Sequence, residues 1–212
     1  MKKLRGRPDS KSLPLHRERL LQTASDEFLE KGYDGASLDA IAARAGVSKV
    51  TIYRRFDSKA GLFEAVALRS VEKLRRRYQS VQTHGRSHRD VLMEFAIALY
   101  EGATRRETAA VMQLAIAEMK KFPAVAQTLW NHRFETLAPL HKYLGEQHAA
   151  GLLKFTDPWA ATMQFSGMVS GGIGSVVEPP IRHRAARKRW VESAVSLFLD
   201  GCRTHRSRGV DV

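Results

Sequence analysis

Residues 45–61 read AGVSKVTIYRRFDSKAG. The side chains there with chemical capacity are Lys49, Thr51, Tyr53, Arg54, Arg55 and Lys59, four cations and two hydroxyls. All of them donate hydrogen bonds, and the cations carry fixed positive charge at neutral pH. No histidine or cysteine stands among them, so the group has no paired base and nucleophile with which to transform a substrate. It suits holding an oxygen-rich anion: a guanidinium fits a phosphate in bidentate fashion and an ammonium meets it as a point charge.

Those side chains need a frame. Ser37 opens a short helix with Leu38, Ile41, Ala42 and Ala45 on one side and Asp39 in its first turn. Gly46 breaks it, Ser48 caps a second short helix running to about Phe56, and Asp57 or Ser58 opens a longer one reaching about Ser80. Helix, glycine turn and second helix make a helix-turn-helix over 37–56, with Val47 and Ile52 expected to pack against Phe28 and Ile41. At about 100° per residue, Ile52 and Phe56 share one edge and Val50 and Arg54 lie opposite, flanked by Thr51 and Tyr53. A helix of this width fits a B-DNA major groove roughly 12 Å wide.

Roles follow from chemistry. Val50 is expected to meet a thymine methyl, although a scattered surface valine is the other reading. Lys49 is expected to reach guanine O6 and N7, and Thr51 a base edge or a phosphate. Tyr53, Arg54, Arg55 and Lys59 are expected on phosphates. In the N-terminal KKLRGRP, Arg5 and Arg7 would enter an adjacent narrow minor groove.

The whole chain agrees in charge. It has 212 residues, net charge +13 and a pI near 10.2. Residues 1–90 carry 20 Lys and Arg against 11 Asp and Glu, while 91–180 carry 7 against 8. A polyanion partner for the first part is the direct reading, with a charged, solvated surface as the plain one. Apolar residues make up 43%, enough for a core, and the single Cys202 permits no disulfide within the chain, which suits a cytoplasmic location. The uncharged run Pro158–Val177 has bilayer length but holds four glycines and three serines, so no membrane span is expected.

The stretch SLDAIAARAGVSKVTIYRRFDSKAGLFEAV, residues 37–66, with LLQTASDEFLEKGYDGAS before it, resembles the N-terminal domain of the TetR/AcrR family of bacterial transcriptional regulators. Phe28, Gly32, Ile41, Ala42, Ala45 to Ser48, Tyr53, Phe56, Lys59 and Leu62 carry the likeness. The resemblance implies an all-α homodimer: an N-terminal three-helix DNA-binding domain, a fourth connecting helix, and a helical ligand-binding and dimerisation domain, about nine helices in total. Family DNA contacts carry over by position to Ser37, Lys49, Val50, Thr51, Tyr53, Arg54, Arg55 and Lys59. Arg55 stands where many members have histidine or tyrosine, and Val50 where many have a small residue, so base preference does not transfer. HAAGLLKFTDPWAATMQFSGM, residues 148–168, is similar to an AefR-like subgroup of C-terminal domains.

The expected organisation is a flexible basic arm at 1–13, the DNA-binding domain at 14–74 and the C-terminal domain at 75–208. In the last, helices are expected at 89–103, 106–121, 123–149, 158–177 and 184–204. Gly167 and Gly171, four apart, allow close helix approach, and Trp190, Ala194, Val195 and Phe198 form an apolar face. Both helices are expected to pair with their twofold mates in a four-helix bundle, although completing a monomer core is the alternative. Phe95, Met112, Trp130, Phe134, His141, Met163 and Phe165 fall on helical stripes that serve either a core or an apolar effector pocket.

No histidine cluster has metal-ligand spacing, and phosphate-loop and nucleophile-elbow motifs are missing. No enzyme, cofactor or metal is expected. The expected partners are a near-palindromic double-stranded operator, a second copy of the chain and a small apolar effector. A repressor released by that effector is the leading reading, with an activator or a ligand-independent architectural DNA binder as alternatives.

Overall fold

A computed structural model describes residues 12–171 and 183–202, apart from the side chains of 12–15, 70, 106, 124–126, 129 and 130. The described residues form nine helices and no strand. They are α1 (Ser12–Gly35), α2 (Leu38–Ala45), α3 (Lys49–Phe56), α4 (Lys59–Gln79), α5 (His88–Ala103), α6 (Arg106–Ala117), α7 (Pro123–Ala149), α8 (Pro158–Ser170) and α9 (Arg184–Cys202). Among these residues no helix is long and apolar enough to cross a membrane.

The chain divides into two compact units. One comprises residues up to Arg69 together with Ala110–Ala126, and the other comprises Ser70–Ala109 and everything from Gln127 on. The expected boundary between 74 and 75 falls inside α4, which runs without a break. Assignment of Ala110–Ala126 to the first unit was not foreseen in the sequence.

In the first unit, α1 packs on α2 and α2 on α3. Leu20, Leu21, Ala24 and Phe28 of α1, Ile41 of α2, Ile52 of α3 and Leu62 of α4 are all buried. The Phe28 ring meets Phe63 edge-on at 5.2 Å. The Arg69 Nε donates to Glu18 Oε1 at 2.8 Å, fastening α4 to α1. Gly32, with φ 71° and ψ 176°, interrupts the helical geometry of α1.

The turn between α2 and α3 is built by caps. The Ser37 hydroxyl accepts from Ala40 N–H and the Ser48 hydroxyl from Thr51 N–H, satisfying donors that an α-helix start leaves open. Gly46 has φ 71° and ψ 34°; its N–H donates to Ala43 O, and Val47 N–H donates to Ala42 O at 3.0 Å. This pair of bonds is the Schellman closure, and it needs the left-handed backbone. A Cβ at Gly46 would touch nothing within 4 Å, so an alanine there meets backbone strain alone. Gly46→Ala is expected to lower stability by about 1–2 kcal/mol, read as a shifted denaturation midpoint with an unchanged slope.

In the second unit, α5 packs against α8 and α9, and those two pack on each other. Tyr78, Leu92, Phe95, Leu140, Leu144, Phe165, Val195 and Phe198 lie in one core. Two helices end earlier than the sequence suggested. The chain leaves α6 at Ala117 and turns tightly, with Lys121 and Phe122 N–H both donating to Glu118 O, ahead of Pro123. Gly171, at φ 76°, caps α8 after Ser170; the remainder of the expected 158–177 helix lies outside the described residues. At the other end of α8, Asp157 accepts from Ala160 N–H and Pro158 takes the first helical position.

Candidate nucleic-acid interface

The eight residues of α3 are too few to be helical alone, so packing must hold them. Ile52 is completely buried and anchors the inner edge, while Phe56 is half-buried. Opposite it, Val50 is 74% exposed and Tyr53 46%, beside the exposed Arg54 and Arg55. Thus α3 presents one aliphatic side chain, one phenol and two guanidiniums on its outer side. Among the described residues, neither Arg54 nor Arg55 has an acidic partner.

The remaining expected contacts are already engaged within the chain. The Lys49 ammonium is 2.8 Å from Asp39 Oδ2, bridging the start of α3 to the first turn of α2; this hydrogen bond holds its pKa above the ordinary lysine range. The Thr51 hydroxyl lies 2.8 Å from Ser48 Oγ, inside the cap. Ser37 is exposed as the α2 cap, and its N–H donates to Glu27 Oε1 at 3.3 Å. The Lys59 ammonium donates to Asp34 O at 3.1 Å and sits 4.9 Å from the Tyr33 ring centre, so it closes the end of α1. Arg5 and Arg7 lie outside the described residues.

Sequence reasoning missed three supporting groups. Glu27 is buried on the apolar stripe of α1, and its carboxylate binds both the Ser37 N–H and the Arg44 guanidinium at 3.1 Å, so it sets α2 against α1. The readable signal is an acid at i+3 from Ala24 on an otherwise apolar face. Asp39 was read only as a first-turn acid, not as the partner of Lys49. Lys121 ion-pairs with Asp34, which draws that carboxyl below its usual range, and the Phe122 ring lies 4.5 Å from Tyr33. No local periodicity signals this last cluster.

Of the residues expected to line an effector pocket, Phe134 and His141 share Trp159 as a ring partner. Phe95 and Phe165 are fully buried in the core of the second unit. Phe134 stacks on Trp159 at 4.6 Å and His141 meets the same ring edge-on at 5.3 Å, while Met163 packs against the core. Met112 belongs to the first unit, and the Trp130 side chain lies outside the described residues. The expected dimer residues separate. Ala194, Val195 and Phe198 face the core of the second unit, and the Trp190 Nε1 donates to Val169 O at 2.9 Å. Gly171 is the α8 cap and Gly167 borders open space. Gly167, Gly201 and the 64%-exposed Leu197 instead line a groove of about 600 Å³ between α8 and α9.

Among the described residues no group of three or more His, Cys, Asp or Glu is placed to hold a metal ion. Donors without an adjacent base, on an exposed helix face, can bind phosphates and read base edges.

Comparison with known proteins points the same way. Residues 20–66 match bacterial regulatory proteins of the tetR family, and residues 90–201, more than half the chain, match the AefR-like transcriptional repressor C-terminal domain. The HTH-type transcriptional activator FasR of Mycolicibacterium smegmatis is 48% identical over 58 residues, 27% of this chain and 26% of that protein. The negative transcriptional regulator IcaR of the biofilm operon in Staphylococcus aureus is 40% identical over 48 residues, 23% of this chain and 26% of that protein. The matched stretch therefore spans about a quarter of those relatives' length. A TetR-family regulator structure from Mesorhizobium loti superposes with a TM-score of 0.80 at 25% identity, covering 92% of this chain and all of that one. Bacillus subtilis FadR, solved with stearoyl-CoA, shares the fold at a TM-score of 0.72 and 18% identity over 88% of this chain and all of that one.

Proposed function

We propose, on the premise that the chain belongs to the TetR family of bacterial regulatory proteins, that it represses transcription as a homodimer on a near-palindromic operator and is released by a small-molecule effector. The observation that carries this reading is the outward face of α3: a 74%-exposed aliphatic residue beside two guanidiniums that have no acidic partner among the described residues. Two such helices one DNA turn apart, roughly 34–36 Å, would read successive major grooves. The groove between α8 and α9 supports pairing of two copies, because Gly167 and Gly201 let a second backbone approach and Leu197 offers apolar area. An effector binding one conformation better than another shifts the population; a hundredfold induction needs about 2.7 kcal/mol of coupling.

Relatives of both signs match the reading head, an activator and a negative regulator. The repressor reading draws support from the C-terminal match, which extends over most of the second unit.

Footprinting on DNA flanking its own gene, repeated with a compound panel, tests the proposal. A protected twofold-symmetric site that opens with one compound is expected. Equal competition by scrambled duplexes sinks it in favour of an architectural binder, and a solitary chain in solution sinks the dimer. Within a footprint, Tyr53→Phe is expected to weaken every site alike, because a phosphate contact holds register without reading sequence. Lys49→Ala and Val50→Ala are expected to relax base preference at one position per half-site by roughly fivefold or more. Selection on a randomised half-site separates the two patterns.

A further inference from the structure

We propose that the groove between α5 and α9 binds an amphipathic anion, an acidic headgroup on an aliphatic chain. This deepens the effector reading and rests on it only for the consequence at DNA. The groove has a volume of about 380 Å³, within the range of small-ligand sites. Met93, Ile97 and Val191 make its apolar floor, and Arg184, Arg187 and Lys188 gather at its rim.

Three features call for an anion there. The cations occupy the opening turns of α9, which holds no acidic residue in its first turn. A helix start is its positive end, so cations placed there repel the dipole unless a negative group joins them. The Arg187 Nε is enclosed and has no hydrogen-bond acceptor among the described residues, a costly state for a guanidinium N–H. Among the described residues, Glu101, at the groove edge, ion-pairs with Arg77, and Glu192 stands 3.7 Å from the exposed Lys188. Arg184 and Arg187 have no acidic partner among the described residues.

The floor decides what carries the anion. It is mostly aliphatic, and the Tyr100 ring that also lines it is only 5% exposed, too enclosed for a base to stack on, which disfavours a nucleotide. Both walls are helices, so an extended peptide finds no strand edge to add to. A second copy centred on the groove would set the same three cations against each other. An aliphatic chain along Met93 and Ile97 with its headgroup at Arg187 satisfies floor and rim together.

Calorimetric titration of the full chain with decanoate, decyl phosphate, decanol and acetate tests this. At least one of the two charged amphiphiles is expected to bind, the tighter naming the headgroup, with decanol and acetate at least tenfold weaker. Arg187→Gln is expected to weaken that binding about tenfold, and Ile97→Trp to block it by filling the floor. Lys142→Gln, the same charge loss on the exposed face of α7, is expected to leave it unchanged. Circular dichroism confirms that each variant is folded. The proposal is overturned if neither charged amphiphile binds, if decanol binds as tightly, or if Arg187→Gln and Ile97→Trp behave like Lys142→Gln. Footprints scored on the same samples keep the two readings apart: amphiphile binding without a specific footprint removes the operator alone, and a specific footprint without amphiphile binding removes the groove alone.

Discussion

Replacing Arg54 and Arg55 together with glutamine is expected to lower operator affinity about a hundredfold near physiological salt, and to flatten the slope of log affinity against log salt by roughly 1.8. The slope follows from counterion release, about 0.9 for each phosphate neutralised on B-DNA. The affinity follows from about 1.5 kcal/mol for each hydrogen bond to a charged partner, so about 3 kcal/mol for two, or close to two decades. These residues are the right pair because no acid among the described residues competes for them. Lys49 is held by Asp39 and Lys59 by the Asp34 carbonyl, so DNA must displace a partner before either ammonium can serve. Arg54 and Arg55 are exposed and have no acidic partner among the described residues, so their substitution breaks no ion pair there. Fluorescence anisotropy across a salt series checks both numbers. A slope that stays put after the double substitution removes these residues from the phosphates, whatever happens to affinity.

The same contrast marks what the sequence could and could not disclose. The α2–α3 turn was legible because its determinants are local. Ser37, Gly46 and Ser48 act through their own neighbours' backbone groups, and the wheel that places Ile52 inside and Val50 outside needs only the helical period. Partners across the turn were not legible. Nothing in the spacing of Asp39 and Lys49 says that their side chains meet, and that contact changes Lys49 from a free reader to a tethered one. The cluster of Tyr33, Asp34, Lys121 and Phe122 joins positions nearly 90 residues apart, beyond any periodic signal. In the second unit the stripes marked burial at Phe95, Phe165, Val195 and Phe198 but not at the exposed Phe134 and Trp190, and they did not say against what. Val195 and Phe198 looked like interface and face their own core, while Leu197, one step around the helix, is the exposed side chain. An apolar stripe reports that a face avoids water, and both neighbours in the chain and a second copy satisfy that demand.

Ile52→Ala is expected to cost the first unit about 3 kcal/mol and to abolish specific DNA binding, while the core of the second unit keeps its protection. Ile52 is fully buried, and truncating a buried isoleucine to alanine typically loses 2–5 kcal/mol, combining lost transfer energy with the cavity left behind. The effect on binding exceeds the effect on stability for a structural reason. Helix α3 spans only eight residues, below the length at which helices persist in water, and Ile52 is its one fully buried side chain. Its outward residues therefore owe their common orientation to a single inward anchor. Hydrogen exchange separates the outcomes. Amides of α2 and α3 are expected to exchange faster by the equivalent of that loss, about two decades, while those of α5, α8 and α9, which share the core of Phe95, Phe165 and Phe198, exchange at the parent rate. If α3 keeps its protection and its operator in the variant, the reading helix is held by something other than Ile52, and the capped turn at Ser48 becomes the first place to look.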